Sequence, residues 1–216
     1  MSGPKRPSTK EVFLEGLKRD GSPFEYFIFK YRRRLGLLFF LVALLGGCMV
    51  AVTAGLREAA QNSVLQQAHA LGMALYSYAQ DHNGKYPEGK SSTEVFQMLM
   101  DGGYVTDPSI FYLPMSGKTR GTGKTLKPEN VCWDFTAGSR TDDTSNVVLL
   151  FTTGTKMDYT PGAKIRVPGN APFGGDGVAV FYSNEYASFI ATQHGEAVIH
   201  GEGYNPKGQH YVQLTP

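Results

Sequence analysis

Five histidines and two cysteines are the side chains best suited to metal binding or nucleophilic chemistry, and their spacing serves neither. His69, His82, His194, His200 and His210 make no H-x-x-x-H or HExxH pair, and Cys48 and Cys132 make no C-x-x-C. His194-Gly195-Glu196 reads as a turn rather than a ligand pair. G-x-S-x-G is absent, so no nucleophile elbow is spelled out. Gly117-Lys118-Thr119 and Gly123-Lys124-Thr125 resemble the end of a phosphate loop, but Lys118 stands where the earlier Gly would be needed before Gly123. The stretch 114–129 therefore reads as an exposed, flexible basic loop. Asp142, Asp143 and Asp176 are candidate carboxylates in loops between strands and read first as solvated turn residues. No catalytic residue, cofactor site or metal site is assigned on these patterns, and the expectation is a protein without enzymatic activity.

The element that organises the chain is Leu35 to Leu56, LGLLFFLVALLGGCMVAVTAGL. It carries no charge over its 22 residues. At 1.5 Å per residue a helix of that length spans roughly 33 Å, about the thickness of bilayer hydrocarbon. The charges on either side differ. Residues 1–34 hold nine bases and four acids, a net of +5, whereas the remainder holds twelve bases and fifteen acids, a net of −3. Lys30, Arg32, Arg33 and Arg34 stand directly before the span, placed to meet anionic lipid. This asymmetry predicts a cytoplasmic N-terminus and an external C-terminal part. The basic cluster is a topology signal, and nothing in the composition points to nucleic acid. Leu56-Arg57-Glu58 gives no small-x-small cleavage site, which favours an anchor over a removed secretory signal. Cys48 in the span and Cys132 outside it should not meet, so the external part is expected to stand without disulfides.

Four segments follow: 1–34, a basic cytoplasmic piece; 35–56, the membrane helix; 57–83, an amphipathic extension; and 84–216, a β-rich domain. Ser8-x-x-Glu11 is a capping box for a first short helix, ended by Asp20-Gly21. Ser22-Pro23-Phe24-Glu25 starts a second helix, which nothing need stop before His82-Asn83-Gly84. Beyond the span, Leu56, Ala60, Val64, Leu71, Leu75 and Tyr78 form one apolar stripe. Ser91-x-x-Glu94 caps a third helix, ended by Gly102-Gly103. Strands are predicted at Ile110–Leu113, Val131–Thr136, Val147–Thr152, Val178–Tyr182, Tyr186–Ala191 and Ala197–His200. Helices first and consecutive strands after argue an α+β fold: a long N-terminal helix on a small antiparallel sheet.

Three stretches carry a family resemblance. Tyr78-Ala79-Gln80-Asp81-His82-Asn83-Gly84-Lys85-Tyr86-Pro87 is similar to the YAQDNNGKYP helix end of pseudopilin-like proteins of the planctomycete and verrucomicrobial kind. Tyr104 to Phe111 is similar to their YlkDPkiF segment, with Leu113 where a Cys is usual. Gly174 to Ala187 is similar to their GG-NVLFADGHV hairpin, with Asn184-Glu185 at the turn. The chain thus resembles type II secretion pseudopilins and type IV pilin-like proteins over roughly residues 35–200. The resemblance implies a pilin-like fold and a non-enzymatic subunit in a bacterial inner membrane with its sheet domain in the periplasm. It also implies lateral packing with other pilin-like subunits, in homo- or hetero-oligomers, as part of a secretion or pilus-like assembly. Gly36 and Leu37 would be the leader-cleavage pair. Leu41 then stands at the fifth mature position, where the family carries Glu, so an uncleaved protein is the competing expectation. Gly46, Gly47 and Ala51 are the small residues that would let spans approach closely. Calcium binding in a C-terminal loop of some family members makes Asp142, Asp143 and Asp176 its candidate ligands. The alternative reading is a single-pass anchored binding or scaffold protein of the envelope, using its sheet edges or the 114–129 loop. An envelope hydrolase is a third.

Overall fold

The computed structural model describes residues 8–20, 23–141, 146–201 and 210–216. Three helices come first: α1 (Thr9–Asp20), α2 (Pro23–Asp81) and α3 (Ser92–Asp101). Seven strands follow: β1 (Trp133–Ala137), β2 (Val148–Thr152), β3 (Lys164–Arg166), β4 (Gly177–Tyr182), β5 (Ala187–Ala191), β6 (Glu196–Val198) and β7 (Val212–Leu214). The layout is α+β, with a small antiparallel sheet. The chain divides into two compact units, Met1–Arg57 and Glu58–Pro216, and α2 contributes to both.

In the first unit, α1 opens with the capping box that its sequence spells. The Glu11 N–H donates to Ser8 Oγ at 3.3 Å, and Glu11 Oε2 accepts from the Ser8 N–H at 2.8 Å. Helix α2 then runs 59 residues, and its last turn is closed by left-handed backbone. Asn83 and Gly84 have φ of 55° and 75°, and the Gly84 N–H reaches the Ala79 carbonyl at 2.8 Å. The Arg140 guanidinium donates to the Asn83 carbonyl at 3.2 Å, bringing a cation to the carbonyl end of the helix. In α3, Ser91 Oγ accepts from the Glu94 N–H at 3.2 Å. The Glu94 carboxylate returns to the Lys90 N–H, one residue earlier than a reciprocal box requires.

The second unit has three layers. The central sheet runs β5-β4-β2-β1-β7, every pair antiparallel. One face meets helices: Val64, Ala68, Leu71, Leu75 and Ala79 of α2 and Val95, Phe96 and Leu99 of α3 pack with Trp133, Phe135, Leu149, Leu150, Ala179 and Phe181. The other face carries Val148, Phe151, Val178 and Val180 against Ile165, Val167, Ala197 and Ile199 from the β3–β6 pair and its flanks. Strand β2 is buried on both faces, which is why it reads as an unbroken apolar run. The pairing of β2 with β4 shifts register between Val148 and Leu150. This bulge lets Leu149 and Leu150 join one core while Val148 and Phe151 join the other. At Gly72 the helix lies close against the sheet: a Cβ there would overlap the Phe181 ring.

Four expectations are corrected. Ile110–Leu113 is no strand: Pro108–Phe111 forms a 3-10 turn, started by Pro108 and by Asp107 Oδ1, which accepts from the Ser109 N–H at 2.8 Å. Strands β3 and β7 were not foreseen, because three residues are too few to show an alternation. The buried stripe on α2 begins at Val64, since Leu56 and Ala60 are exposed. The 114–129 loop is exposed over most of its length but is pinned, not loose. Leu126 and Gly121 are buried, the Leu126 N–H donates to Gln97 Oε1 at 2.8 Å, and Lys118 Nζ donates to the Pro128 carbonyl at 2.7 Å.

Candidate membrane segment and buried polar groups

The apolar length of α2 is long and apolar enough to cross a membrane, and the most apolar window of that helix is bare of protein contact. Leu37, Phe39, Phe40, Met49, Val52 and Leu56 are each more than half exposed. Apolar side chains exposed all round one helix need lipid or other helices as solvent. Gly36 and Leu37, the cleavage candidates, both lie inside this continuous helix and are exposed. Gly46 and Ala51 are exposed, and a Cβ at Gly46 or Gly36 would meet nothing within 4 Å. Gly47 lies in the same helix.

The polar residues singled out by sequence do not converge. Asp142 and Asp143 lie outside the described residues, and Asp176 is exposed just before β4. Among the described residues no three His, Cys, Asp or Glu side chains stand close enough to hold a metal ion. His69 is exposed and edge-on to Phe181 at 6.0 Å. His82 stacks on Tyr78 at 3.9 Å and donates through Nδ1 to the Tyr78 carbonyl at 2.7 Å. His194 and Gly195 are the left-handed pair of a two-residue hairpin turn, with Gln193 and Glu196 exchanging backbone hydrogen bonds. The turn reading of His194-Gly195-Glu196 is what the backbone adopts.

The buried titratable groups lie in places that sequence spacing did not mark. His200 is 2% exposed; its Nε2 accepts from the Val148 N–H at 3.3 Å, and Nδ1 faces the Asp158 carbonyl at 3.3 Å. The ring is thereby held as the neutral Nδ1–H tautomer, and burial lowers its pKa despite help from Asp158. Cys132 is a buried free thiol that donates to the Leu113 carbonyl at 3.4 Å, and burial raises its pKa. Asp134, on β1, has no accessible surface. Desolvation pushes its pKa up to about 6, offset in part by Thr153 and Gln213. Its Oδ2 accepts from Gln213 Nε2 at 2.6 Å. The same Gln213 nitrogen donates to the Thr155 carbonyl at 2.8 Å, while Gln213 Oε1 accepts from the Met157 N–H at 2.8 Å. Three hydrogen bonds from one β7 side chain thus tie the C-terminal strand to β1 and to the loop after β2. The signal for this cluster was available in part: an Asp in the middle of the apolar strand 131–136 is costly unless a partner is supplied.

Compared with family profiles, with characterised proteins and with solved structures, the chain matches none.

Proposed function

We propose that this chain is a single-pass membrane protein that works as a pilin-like subunit of a type II secretion or type IV pilus-like assembly in a bacterial inner membrane, its sheet domain on the periplasmic side. The observation that carries the reading is the character of α2. It is apolar and bare over a membrane's thickness, and further on it forms one wall of the core of an α+β domain. Its role is lateral helix packing and not catalysis, with Gly46, Gly47 and Ala51 at the contact between spans.

The deciding measurement is the intact mass and N-terminal residue of the native protein from membranes. A chain beginning at Leu37 supports prepilin-type processing and a place in a fibre. A chain retaining residues 2–34 removes that reading. It favours the second one, an uncleaved anchored binding or scaffold protein, for which the open edge of β5 supplies a strand-docking surface. Ala187-Ser188-Phe189-Ile190-Ala191 carries no charge or proline to protect that edge.

A further inference from the structure

Strand β5 stands at one end of the central sheet, with β4 on its inner side. Its register with β4 is unbroken from Gly177↔Ala191 to Phe181↔Ala187. The Tyr182 N–H donates to the Tyr186 carbonyl at 2.8 Å, and the Thr192 N–H donates to the Asp176 carbonyl at 3.0 Å. In an antiparallel ladder this alternation turns the backbone groups of the even-numbered residues 186–192 towards β4. Ala187, Phe189 and Ala191 therefore turn theirs outward, and among the described residues no strand or loop bonds to them on that side. Glu185 is the only charged residue between 183 and 195. Beyond Ala191 the chain turns at His194-Gly195, and β6 leaves β5 to pair with β3. The divergence opens a groove of about 270 Å³ lined by Ile190, Ala191, Ala197 and Val198 with Lys164 and Glu196. Tyr186, which alternation places on the same face of β5 as Ile190, is 60% exposed.

We propose that this edge pairs with the same edge of a second copy of the chain, antiparallel and centred on Phe189. The proposal rests on the edge alone and stands whether or not the leader is removed. Ala187-Ser188-Phe189-Ile190-Ala191 has Ala at both ends and Phe at its centre. A twofold axis at Phe189 sets Ala187 opposite Ala191, Ser188 opposite Ile190 and Phe189 opposite itself. The outward groups of Ala187, Phe189 and Ala191 then meet as hydrogen-bonded pairs, all inside regular strand. An axis at Ser188 would instead need Glu185 as a strand residue, and its φ of 65° forbids that. With the axis at Phe189, Glu185 of one copy comes opposite Gln193 of the other, so no like charges meet. Tyr186 of each copy comes diagonal to Ile190 of the other, beside the groove, which has room for its ring. The opposite edge is a poorer partner. Strand β7 has three residues, its Gln213 side chain is engaged with Asp134 and the Thr155 carbonyl, and the Thr215 carbonyl after it accepts from the Ser92 N–H at 3.0 Å. A twofold contact also closes on itself, so it gives a dimer and not an open array.

The test co-expresses two full-length chains, one with Ala187→Cys and the other with Ala191→Cys, and oxidises them in native membranes with copper phenanthroline. Both carry Cys48→Ser, so that the span holds no thiol, and Cys132 is buried. Opposite residues of a hydrogen-bonded antiparallel pair have Cα atoms about 5.5 Å apart, within disulfide reach. Two copies of one variant set their new thiols four positions apart along the strand, roughly 13 Å, which is beyond reach. The expected result is a dimer linked between positions 187 and 191, at about tenfold or more the yield of either variant alone. Ser188→Lys in both chains sets a charge opposite Ile190 of the second copy and should cut the yield about tenfold. Fluorescence of Trp133, the single tryptophan and fully buried, reports whether that variant folds. The comparison of mixed with single variants stands alone if it does not. Gly47→Leu should leave the link in place, which separates a failure of the edge contact from a failure of the span contact. The proposal is overturned by equal yields in mixed and single variants, by no link, or by a link untouched by Ser188→Lys in a folded chain. A link from Ala191→Cys to Val212→Cys on β7, or to a different polypeptide, overturns it as well.

Discussion

Replacing Gly72 by Ala offers a sharp test of how α2 meets the sheet, because two general rules predict opposite signs. In an exposed helix interior, Gly→Ala stabilises by about 1 kcal/mol, since Ala restricts the unfolded chain and suits the helix. At Gly72 the new methyl would sit 2.3–2.4 Å from three atoms of the Phe181 ring. Carbon atoms rest at about 3.5–4.0 Å, so ring or helix must yield by more than about 1 Å. Phe181 is 1% exposed in the middle of the core and has no open side. Overpacking of this kind costs about 1–3 kcal/mol, and the overlap puts Gly72 at the upper end. After subtracting the helix gain, the expected net loss is about 1–2 kcal/mol. The assay is urea unfolding of the full chain in detergent, read from Trp133 fluorescence. Gly55→Ala, where a Cβ meets nothing within 4 Å, is the matched control in the same helix and should not lower the midpoint. Gly72→Ala in a Phe181→Leu background should cost less than it does alone, with a coupling of about 1 kcal/mol between these touching residues. A Gly72→Ala chain as stable as the parent, or more stable, would refute the close approach.

Gln213→Ala removes three hydrogen bonds and leaves the buried Asp134 carboxylate without its amide partner. A loss of about 2–3 kcal/mol in the same unfolding assay is expected. Asp134 also sets a pH dependence whose sign is unusual for an acid. Its folded pKa of about 6 lies above the ordinary 3.8, so its contribution is most favourable below about 4 and is lost as pH rises through 6, by at most about 3 kcal/mol. His200 acts in the opposite sense: its lowered pKa opposes protonation in the fold, so its contribution falls away as pH drops below the ordinary 6.5. Asp134→Asn should therefore gain stability relative to the parent between pH 4 and pH 7, and a flat difference across that range would contradict the burial argument.

The helices and the antiparallel order were legible because their signals are local. Capping residues at Ser8 and Ser91, the left-handed pair Asn83-Gly84 and the apolar run at 148–151 each announce themselves within a few residues. What was not legible depends on partners far along the chain. Strands β3 and β7 exist because β6 and β1 are beside them, 30 and more residues away in sequence. The Asp134 cluster is of the same kind. Its acid stands at 134, its clamp at 213 and its second acceptor at 155, and no spacing rule joins them.

Helix α2 shows why a sequence average can hide two designs in one element. Up to Leu56 its described apolar residues are exposed on all sides and meet no core, the pattern of a candidate membrane span. From Val64 onward they keep to one side, at steps of four, three, four and four from Val64 through Ala68, Leu71 and Leu75 to Ala79, because only one side meets a core. Between them, Arg57, Glu58, Ala59, Ala60, Asn62 and Ser63 are exposed, and the good propensity of the alanines favours the helix there. The change from an all-round apolar surface to one-sided burial takes about two turns, from Leu56 to Val64. It coincides with the boundary between the two compact units at Arg57–Glu58, so the place where the surroundings of the helix change is written in the periodicity itself.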